Sequence, residues 1–578
     1  MKFVKIIPEI EYNLTQQLPH LTDHDYSISV AFTGHDGAIA IGKGNEVLEV
    51  IELERFINVK NFDFTARFLY HKENNEYYQT QIDKAIGVLS NLRDYVARKY
   101  TEKFNYGVFV DRNYSPLIAE NSFQLKFQDY FKANNWFFVR HHVAHAAGAF
   151  YQSSFSKALV LTTDGGSIDG PNNAFIFNRN GDKEYIGSCV RFFGKLYSLF
   201  GPIFRDIKLP YIGYSLIYPG KIMGLAGYGK VLPDLKRAIK SFLIHKSSEQ
   251  LKLYFDPSVL YPYNYKKKDF IKQYHHEKSI PDQKGYNIAA SLQKAFEEVY
   301  VTTLKPIMDT YPDLPVCIGG GCALNISLNT LWVEEFKKNV FVPPDPSDCG
   351  LALGGLLFLL RPVKPYSNPY SGPELLDLDM LGTYISEECT LYKSNFNIID
   401  IKDNINPVIE LLKQDKIIGV ARGRAERGPR ALGNRSIICW INNPNIKDII
   451  NAKVKFREWF RPFAPVVRRE EVSKYFEWQN ESRYMSFSPK VRKEWIDKIK
   501  PVVHVDGTAR VQTITKEQNE FLYNLLGELD PGVLLNTSFN VDSKPIISTV
   551  KDAFRVLKET KLDCIIIENT LIVKNEVN

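Results

Sequence analysis

The same order of apolar runs and turns occurs twice in this chain, and that repeat constrains its fold more than any other feature. Residues 26–55 (YSISVAFTGHDGAIAIGKGNEVLEVIELER) carry an apolar run, a polar turn at 34–37, a second run, a Gly-Lys-Gly-Asn turn and a third run. Residues 157–190 (KALVLTTDGGSIDGPNNAFIFNRNGDKEYIGSCV) repeat the plan, with a glycine-rich turn after Asp164 and an Asn-Arg-Asn-Gly-Asp turn before the last run. Short apolar runs bounded by turn formers predict strands, so each segment reads as a three-stranded meander. Two such meanders point to a duplicated α/β subdomain pair whose first-strand loops face one shared cleft. At 578 residues the chain exceeds what one core serves, so two or more domains are expected.

Residues 287–303 (NIAASLQKAFEEVYVTT) place apolar side chains three and four apart, the spacing of an amphipathic helix. Residues 361–374 hold four prolines, predicting a connecting segment between a first domain at 1–360 and a second α/β domain at 375–578. Hydrophobic residues make up 44% and charged residues 24%, with no long apolar run and no low-complexity tract, which argues against a membrane span or a disordered arm. The first residues lack the apolar stretch of a secretory signal, so a cytoplasmic location is expected. Seven cysteines without a CxxC pair predict reduced thiols. The net charge of +7 is spread along the chain, a faint pointer to anionic substrates and no nucleic-acid footprint.

A histidine cluster stands out at VRHHVAHAAGAF. On a helix, His141 and His145 share one face and can address one ion. Nineteen residues beyond His145, Asp164 ends the apolar run ALVLTTD, where a carboxylate projects into a cleft. Two imidazoles and a carboxylate suit a divalent transition metal with open positions, although an HxxxH pair also occurs as ordinary surface or core histidines. PVCIGGGCALN, with Gly320 and Gly321, breaks from a strand into glycines that can approach a phosphate or serve as a tight turn. Asp348 precedes a glycine and an apolar helix, where it can cap the helix or act as a fourth ligand. Lys221, among the glycines of PGKIMGLAGYGK, fits anion contact or a surface turn.

The last third is rich in cations placed among glycine, proline and aromatics. GRAERGPRALGNRS carries Arg424, Arg427, Arg430 and Arg435, and INAKVKFREWFRPFAP carries Lys453, Lys455, Arg457 and Arg461. Their neighbours predict a structured pocket, where cations desolvated together require anions. HVDGTARVQ and LLNTSFN add Arg510, Asn536, Thr537 and Ser538 at apparent strand ends. Interleaved arginine and aromatic residues also occur in single-strand nucleic-acid grooves, but such tight Gly-Pro-Arg turns do not suit a stacking surface.

The two meanders are similar to the actin-like and sugar-kinase superfamily, whose cleft binds ATP. HHVAHA, VLTTDG, KIMGLAGYG, GGGCALN, DCGLALGG, GRAERGPRALGNRS, VKFREWFRPFAP, HVDGTARVQ and LLNTSFN, in this order, resemble the O-carbamoyltransferases of nodulation-factor and antibiotic tailoring. The likeness spans about Ser27 to Val573. It implies an N-terminal domain similar to the tRNA threonylcarbamoyltransferase and a YrdC-like α/β C-terminal domain. Carbamoyl phosphate and ATP, with Mg²⁺, would form carbamoyl adenylate at Arg430, Lys455, Arg461, Arg510, Asn536 and Ser538. The metal, iron in related enzymes or another divalent transition ion, would sit on His141, His145, Asp164 and Asp348. Gly320, Gly321 and Asn325 would meet the nucleotide, and His35 matches a family histidine near the acceptor hydroxyl. The family commonly has His-Asp-Ala-Ser where this chain has His35-Asp36-Gly37-Ala38, and Gly-x-Gly-Glu where Gly-Gly-Ser follows Asp164. Both departures bear on the acceptor, which stays open among small molecules, sugars and hydroxymethylated nucleotides or bases; nucleic acid enters only as an acceptor. Oligomeric state, with a homodimer as one option, also stays open. The rival reading is an actin-like-fold small-molecule kinase using the same cleft.

Overall fold

The computed structural model describes residues 13–32, 35–62, 76–111, 123–165, 169–189, 191–208, 215–260, 275–276, 278–391, 396–541 and 544–574. Residues 34 and 166–168, part of the two glycine turns singled out above, lie outside the described residues.

Both meanders form, and each is extended by two further strands in the same way. In the first sheet β1 (Tyr26–Ala31), β2 (Ala38–Lys43) and β3 (Glu46–Glu52) run antiparallel, and β4 (Lys103–Asp111) and β5 (Lys132–Arg140) add in parallel, in the order β3-β2-β1-β4-β5. In the second, β6 (Lys157–Thr163), β7 (Asn172–Asn178) and β8 (Lys183–Cys189) are antiparallel. There β9 (Val316–Gly319) and β10 (Val340–Phe341) add in parallel, in the order β8-β7-β6-β9-β10. The topology is therefore duplicated, as the repeat in the sequence requires, and the N-terminal half has the actin-like, sugar-kinase-like plan. The helix expected at 287–303 is longer, spanning Asp282–Thr310.

Two helices occupy equivalent places in the two halves. His141–Gln152 follows β5, and Leu351–Leu360 follows β10. Every residue of both is buried, which explains why LALGGLLFLL is apolar on all sides rather than along one stripe. Their core includes Val143, Ala147, Leu353 and Leu357, together with Val108 of the first sheet and Val160 of the second. The helices cross closely because Gly354 has no side chain: a Cβ there would lie 2.1 Å from the Ala144 carbonyl oxygen. Gly354→Ala is expected to push the helices apart and lower stability by roughly 1–3 kcal/mol, the range for overpacked cores. An unchanged unfolding midpoint would show that the crossing is not set here.

The third sheet is mixed and eight-stranded. Its strands are β11 (Phe396–Asp400), β12 (Ile418–Ala421), β13 (Arg435–Trp440), β14 (Ala464–Arg468), β15 (Gln512–Ile514), β16 (Val533–Ser538), β17 (Cys564–Ile567) and β18 (Thr570–Lys574). Their order is β11-β18-β17-β12-β13-β16-β14-β15. Residues 361–374 contain neither helix nor strand, yet they are fastened to both halves. Ser371 accepts the Val50 N–H of β3 at 2.8 Å, and Gly372 donates to the Ala425 carbonyl at 2.9 Å. No helix among the described residues is long and apolar enough to cross a membrane. Six cysteines are free thiols, and the side chain of Cys389 lies outside the described residues.

Candidate functional site

The crossing of the two buried helices assembles a compact cluster. His141 and His145 occupy the first two turns of their helix, one face apart by i and i+4, and their Nε2 atoms stand 3.2 Å apart. Asp164 directly follows β6, and its Oδ2 is 3.4 Å from His141 Nε2. Asp348 opens the short turn before Leu351–Leu360; its Oδ1 lies 3.6 Å from His141 Nε2 and 3.4 Å from His145 Nε2. One ligand atom from each of the four residues falls within 4.8 Å of all the others, and all four residues are buried. The Asp348 carboxylate turns to the imidazoles, and Gly350 stands at the N-cap of Leu351–Leu360.

Electrostatics bind this group together. Burial alone would raise both acids, but His141 overcomes it and holds Asp164 well below the usual carboxylate range, and His141 with His35 does the same to Asp348. The adjacent His142 is held well below its ordinary value by burial and then by His141, and its Nδ1 meets Thr162 Oγ1 at 2.7 Å. His35 stands at the rim, with Nε2 3.5 Å from Asp348 Oδ2 and Nδ1 3.1 Å from Asp36 Oδ2. Two imidazole nitrogens and two carboxylates converging on one point are a donor set that fits a divalent transition ion.

The glycine segment packs against the cluster. Gly321 donates its N–H to Asp164 Oδ1 at 3.0 Å, which orients that carboxylate. Gly320 has φ +92°, and a Cβ on it would lie 2.2 Å from the Thr163 carbonyl oxygen, so glycine is needed for the backbones to pass. Asn325 caps the helix Ile326–Phe336 through its Oδ1 and exchanges amide hydrogen bonds with Gln293. Lys221 reaches across to Glu458 of the C-terminal half at 2.6 Å, so its charge meets a carboxylate.

The cations of the C-terminal half fall into two groups. Arg424, Arg427 and Arg435 are structural ties. Arg435 is buried and donates to the carbonyls of Arg422, Gly423 and Asn434, while Arg424 donates to those of Ser371 and Gly372. Of the arginines in GRAERGPRALGNRS, Arg430 stands apart, since its charge is felt by Arg461 and Arg510 rather than being tied to backbone carbonyls. Burial and then Arg461 push Arg430 down to about 10, and burial followed by Arg430, Arg457 and Arg461 holds Arg510 well below the guanidinium range. Cations crowded at this cost have the charge that an anion would offset. Arg461 is steadied by Glu458 at 3.5 Å. Lys455 is buried, and its ammonium is caged by the Ser538 carbonyl at 2.7 Å, the Asn540 carbonyl at 2.6 Å and the Asn540 side chain. Ser538 Oγ donates to Asn540 Oδ1 at 2.7 Å. Asn536, in β16 between β13 and β14, donates to Gln512 Oε1 at 2.7 Å and to the Ala431 carbonyl at 3.2 Å, leaving its own Oδ1 buried without a protein partner. Asn540 and Gln512 were missed by motif reading, although Asn540 closes the LLNTSFN run that supplied its neighbours.

A small recess lies where the two halves meet, lined by Ala323, Leu324, Pro344 and Pro346 of the first half and by Arg430 and Tyr484 of the second. Ala323 and Leu324 belong to the same turn as Gly321, which donates to Asp164.

The whole arrangement, a duplicated cleft with a histidine–aspartate cluster joined to a cationic α/β half, is that of a group-transfer enzyme. The family model "Carbamoyltransferase N-terminus" matches residues 27–357, and "Carbamoyltransferase C-terminus" matches residues 409–574. The chain belongs to the carbamoyltransferase family and is a carbamoyltransferase. It is 27% identical to nodulation protein NolNO of Sinorhizobium fredii, over 95% of this chain and 81% of that protein. It is 31% identical to nodulation protein NolO of Bradyrhizobium diazoefficiens, over 75% of this chain and 79% of that one. Nodulation protein U of Rhizobium tropici is 27% identical, with 88% and 90% covered. Overlap with solved structures is low: HypF of T. kodakarensis has a TM-score of 0.32 at 12% identity, covering 60% of this chain and 49% of that one. That likeness carries no functional weight.

Proposed function

We propose that the chain is an ATP-dependent O-carbamoyltransferase with two reaction centres. Carbamate, released with phosphate when water hydrolyses carbamoyl phosphate, attacks the α-phosphorus of ATP in the C-terminal half, giving carbamoyl adenylate and pyrophosphate. The adenylate then passes to the histidine–aspartate cluster, where the carbamoyl carbon is taken by an acceptor hydroxyl and AMP leaves. The observation that supports this reading best is that Arg430 shares a recess with Pro344 and Pro346, on the segment that runs to Asp348, so that the cationic residues and the histidine–aspartate cluster lie along one contact between the halves.

In this scheme Arg430, Arg461 and Arg510 offset phosphate charge, and Lys455 fixes the Ser538 strand end beside them, a preorganised field of the kind that lowers such barriers. Mg²⁺ enters with ATP. His141, His145, Asp164 and Asp348 would hold Fe²⁺ or another divalent transition ion, which when bound supplies Lewis-acid polarisation. His35, tethered between Asp36 and Asp348, accepts the hydroxyl proton. The acceptor is a hydroxylated small molecule, sugar or hydroxymethylated nucleotide or base, and the reaction is cytoplasmic.

The test is incubation of the purified chain with ATP, Mg²⁺ and carbamoyl phosphate, following pyrophosphate and the mass of carbamoyl adenylate. Carbamoyl-phosphate-dependent pyrophosphate is the expected result, and its absence with folded protein would remove the activation half of the scheme.

A further inference from the structure

The loop 426–430, which ends at Arg430, is gripped on two sides by the other half of the molecule. From one side Arg55, just after β3, donates both arms of its guanidinium to the carbonyls of Glu426 and Gly428. Its Nε lies 2.9 Å from Glu52 Oε2, and Glu52 Oε1 accepts the Gly428 N–H at 2.6 Å. From the other side Arg427 enters a buried site where it pairs with Asp345 and donates to Gln152 Oε1 at 3.0 Å, while Gln152 donates to Asp345 Oδ1 at 3.0 Å. Gly428 adopts φ +83°, and a Cβ there would lie 2.1 Å from the Pro344 carbonyl oxygen, so the loop presses directly on the segment that runs to Asp348.

Two of these partners lie on the segments that carry the histidine–aspartate cluster. Gln152 ends the helix that begins at His141, and Asp345 lies three residues before Asp348. The Gly428 loop is thus clamped between β3 and the cluster-bearing segments before it presents Arg430 to the recess. A guanidinium that donates in fork geometry to two carbonyls fixes backbone, where a lysine would supply a point charge.

We infer that the carbamoyl-phosphate site of the C-terminal half is completed by the N-terminal half, with Arg55 as a positioning residue that sets Arg430 through the backbone of loop 426–428. Arg55 touches no substrate in this scheme; it acts through the loop. The inference rests on the two-centre reading above. It adds that recognition of carbamoyl phosphate, as distinct from ATP, depends on the contact between the halves.

The experiment compares the full-length chain with Arg55→Lys, which keeps a positive charge beside Glu52 and removes the fork, and with Arg55→Ala. Pyrophosphate release is followed as carbamoyl phosphate and ATP are varied in turn, alongside the thermal midpoint. Arg55→Lys is expected to raise the KM for carbamoyl phosphate on the order of tenfold, with the KM for ATP within about twofold and kcat within about threefold, and Arg55→Ala to raise it further. An unchanged KM for carbamoyl phosphate in folded Arg55→Lys overturns the inference, as does a parallel rise in both KM values, which marks general loosening. If the unmodified chain releases no pyrophosphate, the two-centre reading fails and takes this inference with it. That outcome is distinct from a working enzyme indifferent to Arg55.

Discussion

Lys455→Ala is expected to reduce carbamoyl-phosphate-dependent pyrophosphate release by about a hundred- to a thousandfold, the usual loss when one charge-stabilising group is removed from a preorganised site. The ammonium is buried and surrounded by oxygens of Ser538 and Asn540, so the substitution removes a positive charge and takes one donor from each of those acceptors. Both effects act on the end of β16, the strand that carries Asn536 and Ser538. The loss should therefore fall mainly on kcat, with a drop in unfolding midpoint beside it. Lys455→Arg keeps the charge but cannot fit the compact cage, and should recover only part of the rate. Near-normal turnover in Lys455→Ala would remove this residue from the chemistry.

Asp164→Ala is expected to leave pyrophosphate release within a few fold of normal while lowering carbamoyl transfer by about a hundred- to a thousandfold. Asp164 links the Gly321 N–H to His141, so its removal takes away one donor and frees the neighbouring imidazole at once. Co²⁺ offers a second reading through its visible spectrum. The full chain should bind it with a tetrahedral or five-coordinate signature that the variant weakens or loses. Transfer is measured by the mass of carbamoylated product in a screen of sugars, hydroxylated metabolites and hydroxymethylated nucleosides. If both activities fall together in folded Asp164→Ala, the division into two centres is wrong.

The contact between the halves also has a pH signature. Burial outweighs Arg55 and pushes the Glu52 carboxyl up to about 7 from an ordinary 4.5. The folded chain then holds a proton that the unfolded chain releases, so this group's contribution to stability falls as pH rises from about 4.5 to about 7 and is level outside that window. Relative to Glu52→Gln, the unfolding free energy should decline across it by on the order of 3 kcal/mol. A difference independent of pH in urea titrations would show that Glu52 ionises normally.

The two meanders were legible because strand alternation and turn residues are local signals, and both fold as read. The pairing of His141 with His145 was legible for the same reason, since helical period alone puts them on one face. Less was readable among the arginines. Arg424, Arg427, Arg430 and Arg435 stand in one short motif with similar neighbours, yet Arg424 and Arg435 tie backbone, Arg427 pairs with Asp345 and Arg430 stands among other arginines. Nor does any local pattern announce that Lys221 pairs with Glu458 or that Asn325 exchanges hydrogen bonds with Gln293.

By itself, then, the sequence determined what is set within a turn or a strand: the repeated meanders, the helical histidine pair, the strand-end position of Asp164 and the glycines where backbones must pass. Tertiary structure alone decided that Asp348 faces those histidines and that Arg430 is the arginine left for the recess. These depend on the crossing of two helices some two hundred residues apart in sequence and on the clamp between halves. No local period encodes such contacts, because they are fixed by which small residues allow close approach and which buried charges find partners.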